Sequence, residues 1–236
     1  MTRIAIYLTN TDRSAFAARH EDDAQKVIRR LRGVGAEYDF AVFDVTEGVF
    51  AEEPTGFDGV ILTGSPAFVD EGHRWIPRLL EHVRQMAAAK TPLIGLCFGH
   101  QAIAAALGGR VERRAGWIFG AASFAVHAHR GWMRPPAETL RLYAANRAQV
   151  AALPPGFDLL GGSETCPIAL TALGDHVFST QFHPEMEAGF IAALLAEHAG
   201  ALGPEVARAA RDSLRRPAEG ETFGRWMREF LEMPRR

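Results

Sequence analysis

The chain has 236 residues, 47% hydrophobic and 23% charged, enough to bury one large core, and its 26 basic and 28 acidic side chains nearly balance. That balance, with no basic run, excludes an extended nucleic-acid footprint, and the longest uncharged stretch, residues 91–109, contains Pro92, His100 and Gln101 and is no membrane span. Two cysteines, Cys97 and Cys166, do not make a disulfide scaffold and are read as free thiols.

Residues 3–8 read as a short buried strand that begins directly after the start, with no leader-like apolar stretch, so a cytoplasmic location is expected. Ala24, Val27, Ile28 and Leu31, with Asp22 and Asp23 ahead of them, predict a helix over 21–31 stopped at Gly33. Strands follow at 38–45 and 57–62, the second breaking at Thr63-Gly64-Ser65-Pro66. Trp75, Leu79, Leu80, Val83 and Met86 mark a second helix. Residues 92–96 form another strand, which runs into a Gly-rich turn and a helix over 98–107. This alternation predicts an α/β fold with an open, mostly parallel sheet and helices on both faces, a three-layer arrangement. Shorter apolar stretches at 117–126, 139–143, 157–160, 168–173 and 177–182 read as antiparallel edge strands, and 190–198, 204–214 and 222–231 as closing helices. The expected organisation is one domain over 1–197, with a helical extension over 198–236 packed on it.

Gly95-Leu96-Cys97-Phe98-Gly99 has the Gly-x-nucleophile-x-Gly form at a strand-to-helix junction. Such a turn needs small neighbours and pushes its middle side chain out above the sheet edge, where a helix N-terminus favours the thiolate. Alone, Cys97 reads equally as a small buried apolar residue. A nucleophile needs a base and a group that orients the base, and Gln181-Phe182-His183-Pro184-Glu185, just past a predicted strand, offers both; without Cys97 the same residues read as a surface turn. Because active sites in open α/β sheets lie at the carboxyl ends of strands, Cys97 and His183 can meet there, with Glu185 as the orienting carboxylate. Phe98 N–H is positioned as an oxyanion donor, and the turn at Gly64, where glycine allows unusual backbone, is a source for a second.

Together, Leu62-Thr63-Gly64-Ser65-Pro66, Gly95-Leu96-Cys97-Phe98-Gly99-His100-Gln101 and Gln181-Phe182-His183-Pro184-Glu185 resemble, in order and spacing, the three signatures of class I glutamine amidotransferases. The resemblance runs over about residues 3–190 and is greatest to stand-alone members similar to the glutaminase domain of GMP synthase. It implies a flavodoxin-like class I glutaminase fold and a reaction in which Cys97 attacks the γ-amide carbon of L-glutamine. His183 then protonates the departing ammonia, and water hydrolyses the γ-glutamyl thioester, with no cofactor and no metal. It further implies that backbone N–H groups of Ser65 and Phe98 hold the oxyanion, and that Gly64, Gln101, Gly116 and Trp117 contact substrate. One departure stands out: relatives often carry His-x-Asp-x-Val where this chain has Asn146-Arg147-Ala148-Gln149-Val150, which bears on acceptor recognition and not on the triad.

No phosphate-binding loop of the Gly-x-x-x-x-Gly-Lys-Ser/Thr form occurs, so ammonia is expected to pass to a separate synthase subunit. Two alternatives are carried: a free-standing hydrolase of another γ-glutamyl compound, such as a γ-glutamyl peptide or arylamide, and a non-catalytic regulatory or binding module. Neither nucleic acid nor membrane is expected as a partner. His127 and His129 lack a third metal ligand in view, His100 is expected to pack or cap locally, and Cys166 to be a spare thiol.

Overall fold

The computed structural model describes residues 2–234 and has at its centre an open nine-stranded sheet. Strands β1 (Arg3–Leu8), β2 (Asp39–Asp44), β3 (Gly59–Leu62), β4 (Leu93–Leu96) and β9 (Val177–Thr180) make a parallel half in the order β2-β1-β3-β4-β9. Beyond β9 the sheet continues antiparallel through β8 (Leu170–Leu173), β7 (Asp158–Gly162), β5 (Arg110–Val126) and β6 (Thr139–Ala152). The division into a parallel and an antiparallel half is as expected from the sequence, except that residues 177–182, read as an antiparallel edge strand, form β9, which pairs parallel with β4 and so belongs to the parallel half.

The parallel strands are nearly continuous apolar runs because both of their faces are covered. Ile4 and Ile6 of β1 face one core together with α1 (Asp23–Gly33) and α6 (Gly220–Glu232), while Ala5 and Tyr7 face the other, with α2 (Trp75–Ala88) and α3 (Phe98–Ala106). Helix α1 starts at a capping box in which Asp22 accepts from Gln25 N–H and Gln25 returns the bond to Asp22 N–H. Helix α6 supplies Phe223, Trp226 and Phe230, all fully buried, to the same core as Val27 and Leu31. Helices α4 (Ala188–Leu202) and α5 (Pro204–Ser213) lie over β5, and residues 197 and 198, either side of the expected division, both lie within α4.

The main departure is the length of β5 and β6, which form a two-stranded ribbon extending well past residues 117–126 and 139–143. Its register breaks between Arg113 and Ile118, where the stretch carrying Gly116 and Trp117 bulges out opposite Arg147. No helix among the described residues is long and apolar enough to cross a membrane.

Candidate active site

Cys97 sits between the end of β4 and the first residue of α3 with φ 50° and ψ −103°, a conformation that costs a non-glycine residue energy and that persists only where its surroundings enforce it. The enforcement is visible. A Cβ on Gly99 would come 2.5 Å from Leu62 O, and one on Gly95 would come 2.7 Å from Gly99 backbone, so both glycines are there for close approach. Gly99 N–H donates to Thr63 O at 3.1 Å, tying the start of α3 to the end of β3, and Cys97 N–H donates to Thr180 O at 2.9 Å. As the first residue of α3, Phe98 has an N–H with no acceptor inside the helix.

His183 reaches the same sheet edge from β9. The intervening Phe182 is fully buried and stacks on Phe124 with ring centroids 5.3 Å apart, and His183 N–H donates to Tyr143 O of β6 at 2.8 Å. Nδ1 of His183 lies 2.7 Å from Glu185 Oε1. Burial works against the imidazolium, but the negative charges of Cys97 and Glu185 and their hydrogen bonds outweigh it and hold this histidine well above the usual imidazole range. Glu185 Oε2 is buried with no hydrogen-bond partner among the described residues.

Gly64 meets a different need from the backbone freedom expected of it. A Cβ there would come 2.8 Å from His183 Cε1 and 3.6 Å from Cys97 Cβ, so the third turn closes directly over the other two. That turn is pinned from β1 by Thr9, a fully buried residue that the sequence reading did not single out: its hydroxyl lies 2.9 Å from Thr63 O and 3.0 Å from Gly64 O, and its N–H donates to Thr63 Oγ1 at 3.0 Å. A trans peptide directs its N–H opposite to its C=O. With Gly64 O held toward Thr9, Ser65 N–H faces away from Thr9.

Gly64, Ser65, Cys97, Trp117 and His183 line one cavity of about 420 Å³, whose other walls come from the segment after β1, the start of α1, strands β5 and β6, and α4. Gln101 and Gly116 are not among its lining residues. Gln101 is buried, its amide donating to Ala148 O at 2.9 Å and to Gln181 Oε1 at 3.2 Å, while Gln181, also missed in the sequence, directs Nε2 at Cys97 Sγ from 3.6 Å. Asn146 bonds Ala148 O at 3.2 Å. His100 lies fully inside the protein, with Nδ1 2.8 Å from Ser179 Oγ and Nε2 3.2 Å from Ile168 O; burial pushes its pKa down to about 4, so it is a neutral structural group. Burial likewise pushes the Cys166 thiol up to about 12, and His129 Nε2 lies 3.0 Å from Ala137 O.

Comparison with known proteins shows the family. The family model described as glutamine amidotransferase class-I matches residues 21–195, a span that contains Cys97, His183 and Glu185. The glutamine-hydrolyzing GMP synthase of Herminiimonas arsenicoxydans is 32% identical over 171 residues, covering 69% of this chain and 31% of that protein, so the chain spans about a third of the length of that relative. Gamma-glutamyl peptidase 3 of Arabidopsis thaliana is 29% identical over 195 residues, covering 78% of this chain and 76% of the peptidase. Among solved structures, a glutamine amidotransferase of Methylobacillus flagellatus superposes with a TM-score of 0.76 at 23% identity, over 98% of this chain and 92% of that one, which speaks for the fold. With three quarters of its length matched by one family model and the elbow, imidazole and carboxylate all inside that match, the chain belongs to the class I glutamine amidotransferases.

Proposed function

We propose that this protein hydrolyses a γ-glutamyl amide bond through a thioester on Cys97. The observation that carries the reading is Cys97 held in a left-handed elbow beside an imidazole that is itself bonded to Glu185 at 2.7 Å. The Cys97 thiolate attacks the γ-carbonyl carbon, and the oxygen that becomes negative is met by the N–H groups of Ser65 and Phe98. His183 delivers its Nε2 proton to the departing nitrogen as the C–N bond breaks. It then takes a proton from water, which adds to the thioester and releases glutamate and the free thiolate. Glu185 keeps the proton on Nδ1, so that Nε2 faces sulfur and substrate.

When glutamine is the substrate, ammonia leaves and is passed to a separate synthase subunit; the likeness to GMP synthases that are glutamine-hydrolyzing supports this use. The second reading, a free-standing γ-glutamyl hydrolase, is favoured by the likeness to a γ-glutamyl peptidase over most of both chains and by a cavity much larger than an ammonia. The test is the release of glutamate and of ammonia or amine by the purified protein from L-glutamine and from N-substituted γ-glutamyl amides, with Cys97→Ala as control. Turnover that survives in Cys97→Ala refutes the thioester.

A further inference from the structure

The general acid of an amide cleavage has to face the nitrogen that leaves, so whatever is bonded to that nitrogen lies on the imidazole's side of the site. The cavity that His183 lines together with Cys97 has far more space than ammonia uses. A leaving NH₂ needs about the volume of one water, ~30 Å³, whereas the cavity that opens from Cys97 and His183 holds about 420 Å³. Even with a glutamyl chain occupying part of it, most of the space is left over.

The walls say what that space suits. Phe16 from the segment after β1 and Phe190 from α4 stand with ring centroids 6.0 Å apart, and His20 bridges them at 4.5 and 5.3 Å, edge-on to Phe190. Phe119, Met186 and Leu194 continue the apolar lining. The charged groups around it are already engaged. Lys26 is buried against Asp23 at 2.8 Å, with its ammonium 3.5 Å from the centre of the Phe190 ring, and the other Asp23 oxygen accepts from Asn10. Arg13 pairs with Asp44 and Glu47, Glu21 with Arg29, Asp22 caps α1, and Asp12 accepts from Ser14 N–H. A carboxylate entering the cavity would find its nearest buried cation neutralised, and an ammonium would find its carboxylates committed; an uncharged ring meets ring edges and methyl groups.

We infer that this cavity binds the amine half of the substrate, and that the substrate is a γ-glutamyl amide whose nitrogen carries an uncharged aromatic group. The inference rests on the Cys97 chemistry proposed above and names the substrate class for it. The overall step is γ-glutamyl-NH-R plus water giving glutamate and R-NH₃⁺: the C–N bond breaks as the C–S bond forms and the imidazolium proton goes to nitrogen, then water breaks the C–S bond, one of its protons restoring imidazolium and the other, lost as the new γ-carboxyl group ionises, going through solvent to the amine.

The experiment compares kcat/KM of the purified protein on L-glutamine, γ-glutamyl methylamide, γ-glutamylglycine and γ-glutamyl phenethylamide. The phenethylamide is expected to exceed each of the others by about thirtyfold or more. Leu194→Trp, which fills the cavity, is expected to lower the ratio of phenethylamide to methylamide at least about tenfold, and Phe190→Leu, a milder change, to lower it in the same direction should the tryptophan disturb folding. Equal rates on all four, or a preference for glutamine or γ-glutamylglycine, overturns the inference. Calorimetric binding to Cys97→Ala separates it from the reaction. A phenethylamide Kd at least about tenfold below that of the methylamide supports the cavity assignment even where Cys97→Ala still turns the amides over and the thioester mechanism is thereby refuted. Equal Kd values remove the cavity assignment whatever the chemistry does.

Discussion

Glu185 Oε1 lies 2.7 Å from His183 Nδ1 across a turn through Pro184, with side-chain exposures of only 1% and 6%. A carboxylate so placed fixes the tautomer, leaving Nε2 for the sulfur. Glu185→Gln keeps the shape and loses that preference. Its kcat is expected to fall by about 10²- to 10⁴-fold with little change in KM, measured by steady-state release of glutamate. Wild-type turnover in this variant would show that Glu185 does not orient the base.

The same pair sets a pH dependence. Cys97 and Glu185 hold the His183 imidazolium well above its usual range. Activity that needs its proton is therefore complete below the folded-state value and is lost as pH rises through it. The alkaline limb of kcat/KM is expected well above pH 6.5, and Glu185→Gln should move it to lower pH. An unmoved limb would assign the titration to another group.

Thr9 acts only through the turn it pins. Thr9→Val keeps the volume and releases Gly64 O, so that the peptide carrying Ser65 N–H can rotate. The expected result is a kcat lower by about tenfold to a hundredfold, with KM within a few-fold and with partial recovery in Thr9→Ser. A loss of melting temperature without this kcat effect would make the contact structural only.

His100 carries an acid sensitivity unrelated to catalysis. Its folded value, about 4, lies below the unfolded value near 6.5, so from pH 6.5 downward the unfolded chain takes up a proton that the folded one refuses. Stability attributable to this group falls by up to about 3 kcal/mol between pH 6.5 and 4 and is level on either side. Urea unfolding across that range should show a shallower decline in His100→Gln than in the wild type; parallel declines would contradict the assignment.

The two thiols should separate chemically. Cys97 opens onto the cavity, while Cys166 is fully buried and its thiol is pushed up to about 12. Iodoacetamide at neutral pH is expected to add one carbamidomethyl group per native chain, and none to Cys97→Ala, by intact mass.

Strands β1 to β4 and the turns that carry Cys97, His183 and Glu185 were legible because each depends on a few adjacent residues: the glycines flanking Cys97, and the two-residue step from His183 to Glu185. The β5–β6 ribbon was legible only in part. Arg113, Arg114 and Arg147 are exposed, the buried positions of β6 beyond Tyr143 include the polar Asn146 and Gln149 and so show no apolar alternation, and the bulge at Gly116 and Trp117 removes the period as well. Thr9 and the aromatic walls left no trace either. Thr9 meets Thr63 and Gly64 only when β1 and β3 pair, and Phe16 meets Phe190 only when the segment after β1 folds across to α4. Gln101 shows the reverse: its place in the motif suggested the substrate, yet its amide is directed at Ala148 and Gln181.

Cys97 and His183 are both hung on main-chain bonds to strands, Cys97 N–H on Thr180 O and His183 N–H on Tyr143 O. Much of the aromatic and apolar wall of the cavity, Phe16, His20, Phe190 and Leu194, stands instead on the segment after β1 and on α4, outside the sheet. Substitutions at Phe16, His20, Phe190 or Leu194 can therefore reshape the cavity without moving the main-chain bonds that hold Cys97 and His183.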